Sequence, residues 1–318
     1  MTRTRLAAVA AAALALGLAA GCADRGYGSL RRGDRLLASG EVEAALAEYR
    51  LARRQRGEDP EVLLRLAHAF ARRGEVATSL QHYRELLARD SSWRYQAAMD
   101  LTTAAREALE RHGRDRMART LEPLVSLGIE LVPRDLRLEL ARHHVERQAF
   151  DRALPLLLSV LEEGPDPGSQ VHYMAARAYQ ELGGCRQALP HFERYLQDEE
   201  GGTAGRGGAR WHFGSCLYEV AQADWRAGRS EEALERVEQL VELGSPRTVM
   251  DRAHFLRGEL LADAGRRDEA LEAFRRVLRL NPARTGPLAR SAQERVREIR
   301  YTETTSTDTA SPSPEPPR

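Results

Sequence analysis

The sequence predicts an all-α fold of stacked helix pairs, about six to seven of them, closed by one further helix. Three observations lead there. A landmark string of Gly, a small residue five places on, and an aromatic or aliphatic residue four further recurs at a spacing of roughly 34 residues. It reads Gly40-Ala45-Tyr49, Gly74-Ser79-Tyr83, Gly183-Ala188-Phe192, Gly228-Ala233-Val237 and Gly265-Ala270-Phe274, the last followed by Pro282. Around the landmarks apolar residues recur at helical spacing, as in Leu63, Leu66, Ala67 and Phe70, then Leu80, Tyr83, Leu86 and Leu87. Finally, a hydrophobic content of 42% over 318 residues is enough to bury such stripes.

The N-terminus stands apart from this pattern. Arg3 and Arg5 precede the apolar run from Leu6 to Ala20, which is too short for a comfortable membrane span and ends in small residues. This is the layout of a secretory signal. The end of the run, Leu18-Ala19-Ala20-Gly21-Cys22, resembles the lipobox of bacterial lipoproteins. The resemblance implies a signal peptide over 1–21, lipidation of Cys22 as the first mature residue, and a short lipidated linker over 22–25. Ala19 stands where such lipoboxes most often carry Leu. Several acyl chains on one Cys meet the requirement for stable anchoring. In lipoproteins of bacteria with two membranes, Asp directly after the Cys signals inner-membrane retention. Here that place is Ala23, with Asp24 one later, so the outer membrane facing the periplasm is expected.

The landmark string itself resembles the tetratricopeptide repeat, which implies a right-handed α-α superhelix (a TPR solenoid) over residues 26–300. With Gly at repeat position fifteen, the first pair runs from about Gly26 to Gly57, with Val42–Arg54 as its clear second helix. Strong repeats follow over 60–93, 134–167, 169–197, 211–245 and 248–282. Pro60 is a favourable first helical residue. Residues 94–133 read as a degenerate pair: Gly113 and Ala118 match the landmarks, but the first helix fits only if the register slips by a residue, and Pro123 falls inside the second helix. In the repeat over 134–167, Gln148 replaces the landmark Gly. Pro155 and Pro190 fall about five residues into their helices, where a missing N–H should shift or kink the first turn. The acidic and Gly-rich stretch 198–208 reads as a flexible surface connection. It lacks the Gly-Lys-Ser/Thr of a phosphate loop. Residues 287–300 form an amphipathic capping helix, and the Thr/Ser/Pro tail 301–318 is expected to be disordered.

Composition excludes several classes of function. The 48 basic residues, all Arg, balance 47 acidic ones, which gives no long-range pull on nucleic acid. Exclusive Arg use reflects a GC-rich genome rather than a ligand. Besides Cys22, the chain holds Cys185 and Cys216, in a compartment that would permit a disulfide. The register puts them at opposite ends of an antiparallel array, about 15 Å apart along the axis. A bridge needs Cα atoms within roughly 7 Å, so core packing is the expectation for both. No His-Glu-x-x-His run and no Gly-x-Ser-x-Gly elbow occurs, and His143-His144 with Glu139 cannot comfortably share one ion. No enzyme, metal or cofactor is expected.

Binding is therefore the expected function. In tetratricopeptide proteins the first helix of each pair lines the binding groove through positions two, five, nine and twelve. Carried onto this register, the wall consists of Tyr173, Arg177 and Gln180, then Tyr218, Gln222 and Trp225, then Phe255 and Glu259, beside Ala262. Aromatics with Arg and amides make a peptide-binding surface, unless the rings pack between helices instead. The family's carboxylate clamp of Lys and Asn is absent. The N-terminal half offers Glu61, Leu64, His68, Asp135, Leu138 and Arg142, a mixed wall that selects no partner. The resemblance implies an envelope scaffold or adaptor with a protein or peptide partner. The alternative is a glycan- or peptidoglycan-binding lipoprotein that stacks sugars on the same aromatics.

Overall fold

The computed structural model describes residues 26–198 and 203–308. The lipobox, Cys22 and residues 309–318 lie outside the described residues. Every regular element described is helical; no strand occurs among these residues. The chain divides into two compact units, up to Arg147 and from Gln148 onward. The first holds α1 (residues 26–38), α2 (Val42–Arg56), α3 (Pro60–Arg72), α4 (Val76–Leu87), α5 (Arg94–His112), α6 (Arg114–Val125) and α7 (Arg134–Glu146). The second holds α8 (Phe150–Glu162), α9 (Ser169–Glu181), α10 (Cys185–Gln197), α11 (Thr203–Arg226), α12 (Ser230–Leu243), α13 (Met250–Asp263), α14 (Arg267–Leu280) and α15 (Pro287–Asp308).

Each landmark position has a physical job. The glycine ends a first helix in the left-handed region, with φ +86° at Gly40 and +74° at Gly265, where a Cβ is disfavoured. The next residue then reaches back to close the helix: Glu75 N donates to Phe70 O at 2.9 Å, and Gly184 N to Tyr179 O at 2.7 Å. Gln148, the landmark substitute, adopts the same region at φ +59° and carries the side-chain penalty itself. The small residue lets the second helix close on the first; Ala45, Ala188, Ala233 and Ala270 are fully buried. Ser79 takes that place once, and its hydroxyl donates to Ala67 O at 2.8 Å, so burial leaves it satisfied. The aromatic residue fills the gap. A Cβ on Gly258 would come within 2.6 Å of the Phe274 ring, and one on Gly33 within 2.4 Å of the Tyr49 ring.

The weak stretch 94–133 forms a full helix pair, α5 and α6, packed on each other. Its core includes Ala105 of α5 with Ala118 and Leu121 of α6. Pro123, Pro155 and Pro190 sit inside α6, α8 and α10 without ending them. Pro155 and Pro190 face solvent, where water can take the carbonyl that the missing N–H leaves.

Three expectations are corrected. The connection expected over 198–208 is helical from Thr203, so α11 is 24 residues long. The tail expected to be disordered from 301 continues α15 as far as Asp308. Most consequentially, Cys185 and Cys216 form a disulfide, with Cα atoms 5.0 Å apart. The early start of α11 explains it. Running antiparallel to the 13-residue α10, it travels 13 residues, about 20 Å, before reaching Cys216. That is the length of α10, so Cys216 arrives level with Cys185 at the start of α10. Both still belong to the core, beside Phe192, Leu217 and Leu240.

Asp224, with no exposed surface, ties three elements: Arg229 Nη2 donates to it at 2.6 Å, and Arg186 of α10 also donates. Burial alone would raise its pKa, but the two guanidiniums outweigh burial and hold it below the usual carboxylate range. His254 of α13 is buried with its Nδ1 unpartnered among the described residues. Burial first, then Arg276, Arg257 and Arg279, push its pKa down from 6.5 to about 4.

Two predictions come from these contacts. Reduction, or Cys216→Ser, should lower unfolding stability by about 3–4 kcal/mol for a link spanning 31 residues. Unreduced, denatured protein should take up no maleimide at either position; labelling of both thiols would refute the bond. Between pH 6.5 and 4 the unfolded chain binds a proton at residue 254 that the folded chain refuses. Stability should therefore fall as pH drops through that window, with roughly 3 kcal/mol as the ceiling for this group. In urea titrations at pH 7 and 4.5, His254→Gln should lose measurably less than the wild type on acidification.

Candidate partner-binding surface

In the second unit the first helices α9, α11, α13 and α15 neighbour one another in turn, and the wall expected from the repeat register lies on them. Its spine is α11. Trp211, Ser215, Tyr218, Gln222 and Trp225 follow one another at intervals of three or four, so they share one face over about 21 Å. Trp211 is 48% exposed and Trp225 37%. Tyr218 lies half-buried between them and accepts a hydrogen bond from Gln222 Nε2 at 2.9 Å. The Arg252 guanidinium of α13 sits 5.9 Å from the centre of the Tyr218 ring, which joins two helices of the wall. Burial raises the Tyr218 pKa, so its hydroxyl stays protonated at neutral pH and retains its donor.

The flanking helices supply the rest. On α9, Tyr173 packs at 4.8 Å from the Tyr195 ring and edge-on to Phe192 at 6.2 Å. Arg177 reaches His212 Nε2 at 2.6 Å and Glu181 at 2.6 Å. Burial, with Arg177 as the next cause, lowers the pKa of His212. The neutral imidazole can accept the guanidinium's proton donor at Nε2. Gln180 Oε1 is buried without a partner among the described residues. On α13, Phe255 meets Phe274 edge-on at 5.4 Å, and Glu259 receives Arg295 Nε from α15 at 2.8 Å.

All eight expected residues thus fall on helices that touch in sequence, but they differ in availability. Tyr173 and Phe255 turn part of their rings into the cores behind them, and Arg177 and Glu259 are engaged in ion pairs. Trp225 remains accessible. Trp211 adds a second exposed indole that the repeat positions did not include, because α11 begins eight residues before the expected start at 211. The spacing Trp211-Ser215-Tyr218 was the available sign.

His143 and His144 are buried with rings inclined at 67°, and Glu139 is taken by Arg114 and Arg142. No group of three or more His, Cys, Asp or Glu among the described residues could hold a metal ion. No described helix is long and apolar enough to cross a membrane. In the first unit, Asp135 binds Arg106, Arg142 binds Glu139, and His68 Nδ1 lies 2.7 Å from Asp100.

The tetratricopeptide repeat family model matches residues 30–92 and 218–285. Among solved structures, the chain is similar to YrrB, a TPR protein with an unusual peptide-binding site: 18% identity, 67% of this chain and 97% of that one covered, TM-score 0.34. It is also similar to Naa15/Naa10 bound to HypK, at 16% identity over 86% of this chain and 39% of that one, TM-score 0.36. A third is the C-terminal part of a TPR repeat-containing protein from Cytophaga hutchinsonii, at 12% identity over 83% and 98%, TM-score 0.35. No match is found among curated proteins. The matched segments cover most of α1, all of α2, α3, α4, α12, α13 and α14, and the last third of α11, which carries Tyr218, Gln222 and Trp225; they support tetratricopeptide repeats there and indicate no catalytic family.

Proposed function

We propose that this chain is a tetratricopeptide scaffold of the bacterial envelope, anchored by lipid on Cys22 and holding a protein or peptide partner on the wall of α9, α11 and α13. The observation that carries the binding reading is the stripe Trp211-Tyr218-Trp225, in which two exposed indoles flank a half-buried tyrosine that packs on the core and meets Gln222 and Arg252. Large rigid aromatics with a polar tip give much contact area at little conformational cost, as partner-binding hot spots do. The extracytoplasmic placement rests on the lipobox-like Leu18-Ala19-Ala20-Gly21-Cys22 and is supported by the Cys185–Cys216 disulfide, a bond that oxidising compartments favour. The outer membrane is the proposed site, from Ala23 after the Cys.

The binding test is a pull-down from crosslinked envelope extract, run beside purified sacculi. Trp211→Ala with Trp225→Ala should weaken protein capture by at least about tenfold, yet shift stability by no more than about 0.5 kcal/mol. Phe255→Ala, which removes a half-buried ring, should instead cost about 2–3 kcal/mol of stability. Capture of sacculi alone, lost in the double variant, would replace the peptide reading with the glycan one. For the anchor, metabolic labelling with a palmitate analogue should mark the wild type and leave Cys22→Ser unmarked and released from the membrane fraction. Label retained by that variant would overturn the anchor.

A further inference from the structure

The first unit contains a basic cavity that the partner-binding wall does not use. The Arg72–Val76 turn joining α3 to α4, the last turns of α5 and the start of α6 border a half-open hollow of about 120 Å³. Arg72, Arg73, Arg111, His112 and Arg116 line it, against a single carboxylate, Glu107. The guanidinium of Arg116 reaches over the turn, with Nη2 3.8 Å from where a Cβ on Gly74 would lie. Several arginines elsewhere in this unit are matched, Arg53 with Glu85, Arg65 with Asp34 and Arg114 with Glu139. Three of those that line the cavity are not. Among the described residues no carboxylate lies within 4.0 Å of Arg72, Arg111 or Arg116. Arg73 bonds to Glu75, but its Nε is buried with no acceptor.

Helix ends account for only part of this. Arg72, and Arg111 with His112, occupy the last turns of α3 and α5, where the carbonyl ends favour cations. Arg116 occupies the first turn of α6, where the same dipole disfavours a cation. The guanidiniums of Arg72, Arg111 and Arg116 are exposed and solvated while the hollow is empty, yet with Arg73 they surround one small hollow with positive charge against the single Glu107. The hollow is smaller than the roughly 300 Å³ at which small-molecule sites begin, so a compact group fits and a polypeptide does not. Guanidinium forks match tetrahedral oxyanions in geometry and charge. We propose that this cavity binds a phosphate group, as free phosphate or as the monoester headgroup of a lipid.

The test is isothermal titration of the full chain with inorganic phosphate and, separately, with short-chain soluble phosphatidic acid, at low and high salt. Saturable binding that weakens with salt is expected. Arg111→Gln with Arg116→Gln should weaken it by about tenfold or more. Glu107→Gln, which removes the opposing charge, should tighten it by about fivefold. Should the arginine variant prove unfolded by circular dichroism, the Glu107→Gln result decides alone. Binding of both probes supports the free anion, and binding of phosphatidic acid only, with the same response to the variants, supports the headgroup. No saturable binding of either probe, or binding indifferent to the variants, overturns the proposal.

Discussion

The structure depends on one constraint: no helix here can hide its apolar stripe without a neighbour held at close range. Closeness is set by side chains that are nearly absent. Ala188, Ala233 and Ala270 are fully buried where two helices of a pair meet, and Gly33 and Gly258 leave room that an aromatic ring then fills. Each methylene so buried is worth about 0.8 kcal/mol, but only where the backbones approach closely enough to exclude water. A pair that satisfies itself internally still presents apolar surface outward. Stacking the next pair is the available solution, and α15 closes the last face of the second unit against α14.

Charge follows the same periodicity. Arg65 meets Asp34, Arg53 meets Glu85, Arg114 meets Glu146, and Arg295 meets Glu259, separations of 31, 32, 32 and 36 residues. These are contacts between equivalent regions of successive repeats. Each exposed pair adds little to stability, yet the set disfavours a slipped arrangement in which like charges would meet. A chain whose cations are all Arg suits this role, because a planar fork fixes direction where an ammonium would not.

Much of this was legible in the sequence because the landmark residues have local jobs. A glycine that must take φ near +80° and an alanine that must be small leave a mark whatever surrounds them. The length of α11 was not legible, since several glycines argue against helix at about 1 kcal/mol each, yet the chain is helical from Thr203. The disulfide was missed as a direct consequence, because the inferred height of Cys216 along its helix depended on where the helix began. At the wall, Tyr173, Tyr218 and Phe255 lie on α9, α11 and α13. Which rings sink toward Phe192 or Phe274 and which stay outside depends on the stagger between helices, which periodicity alone does not encode.

The bond between Cys185 and Cys216 also sets a limit on how the second unit can come apart. In an array held by nearest-neighbour contacts, fraying proceeds inward from a free end, one hairpin at a time. The covalent crosslink fastens the helix behind Tyr173 to the one carrying Trp211 and Trp225. Loosening that starts at the carboxyl end can therefore release α13 to α15 while the fragment bearing both indoles stays riveted to its predecessor.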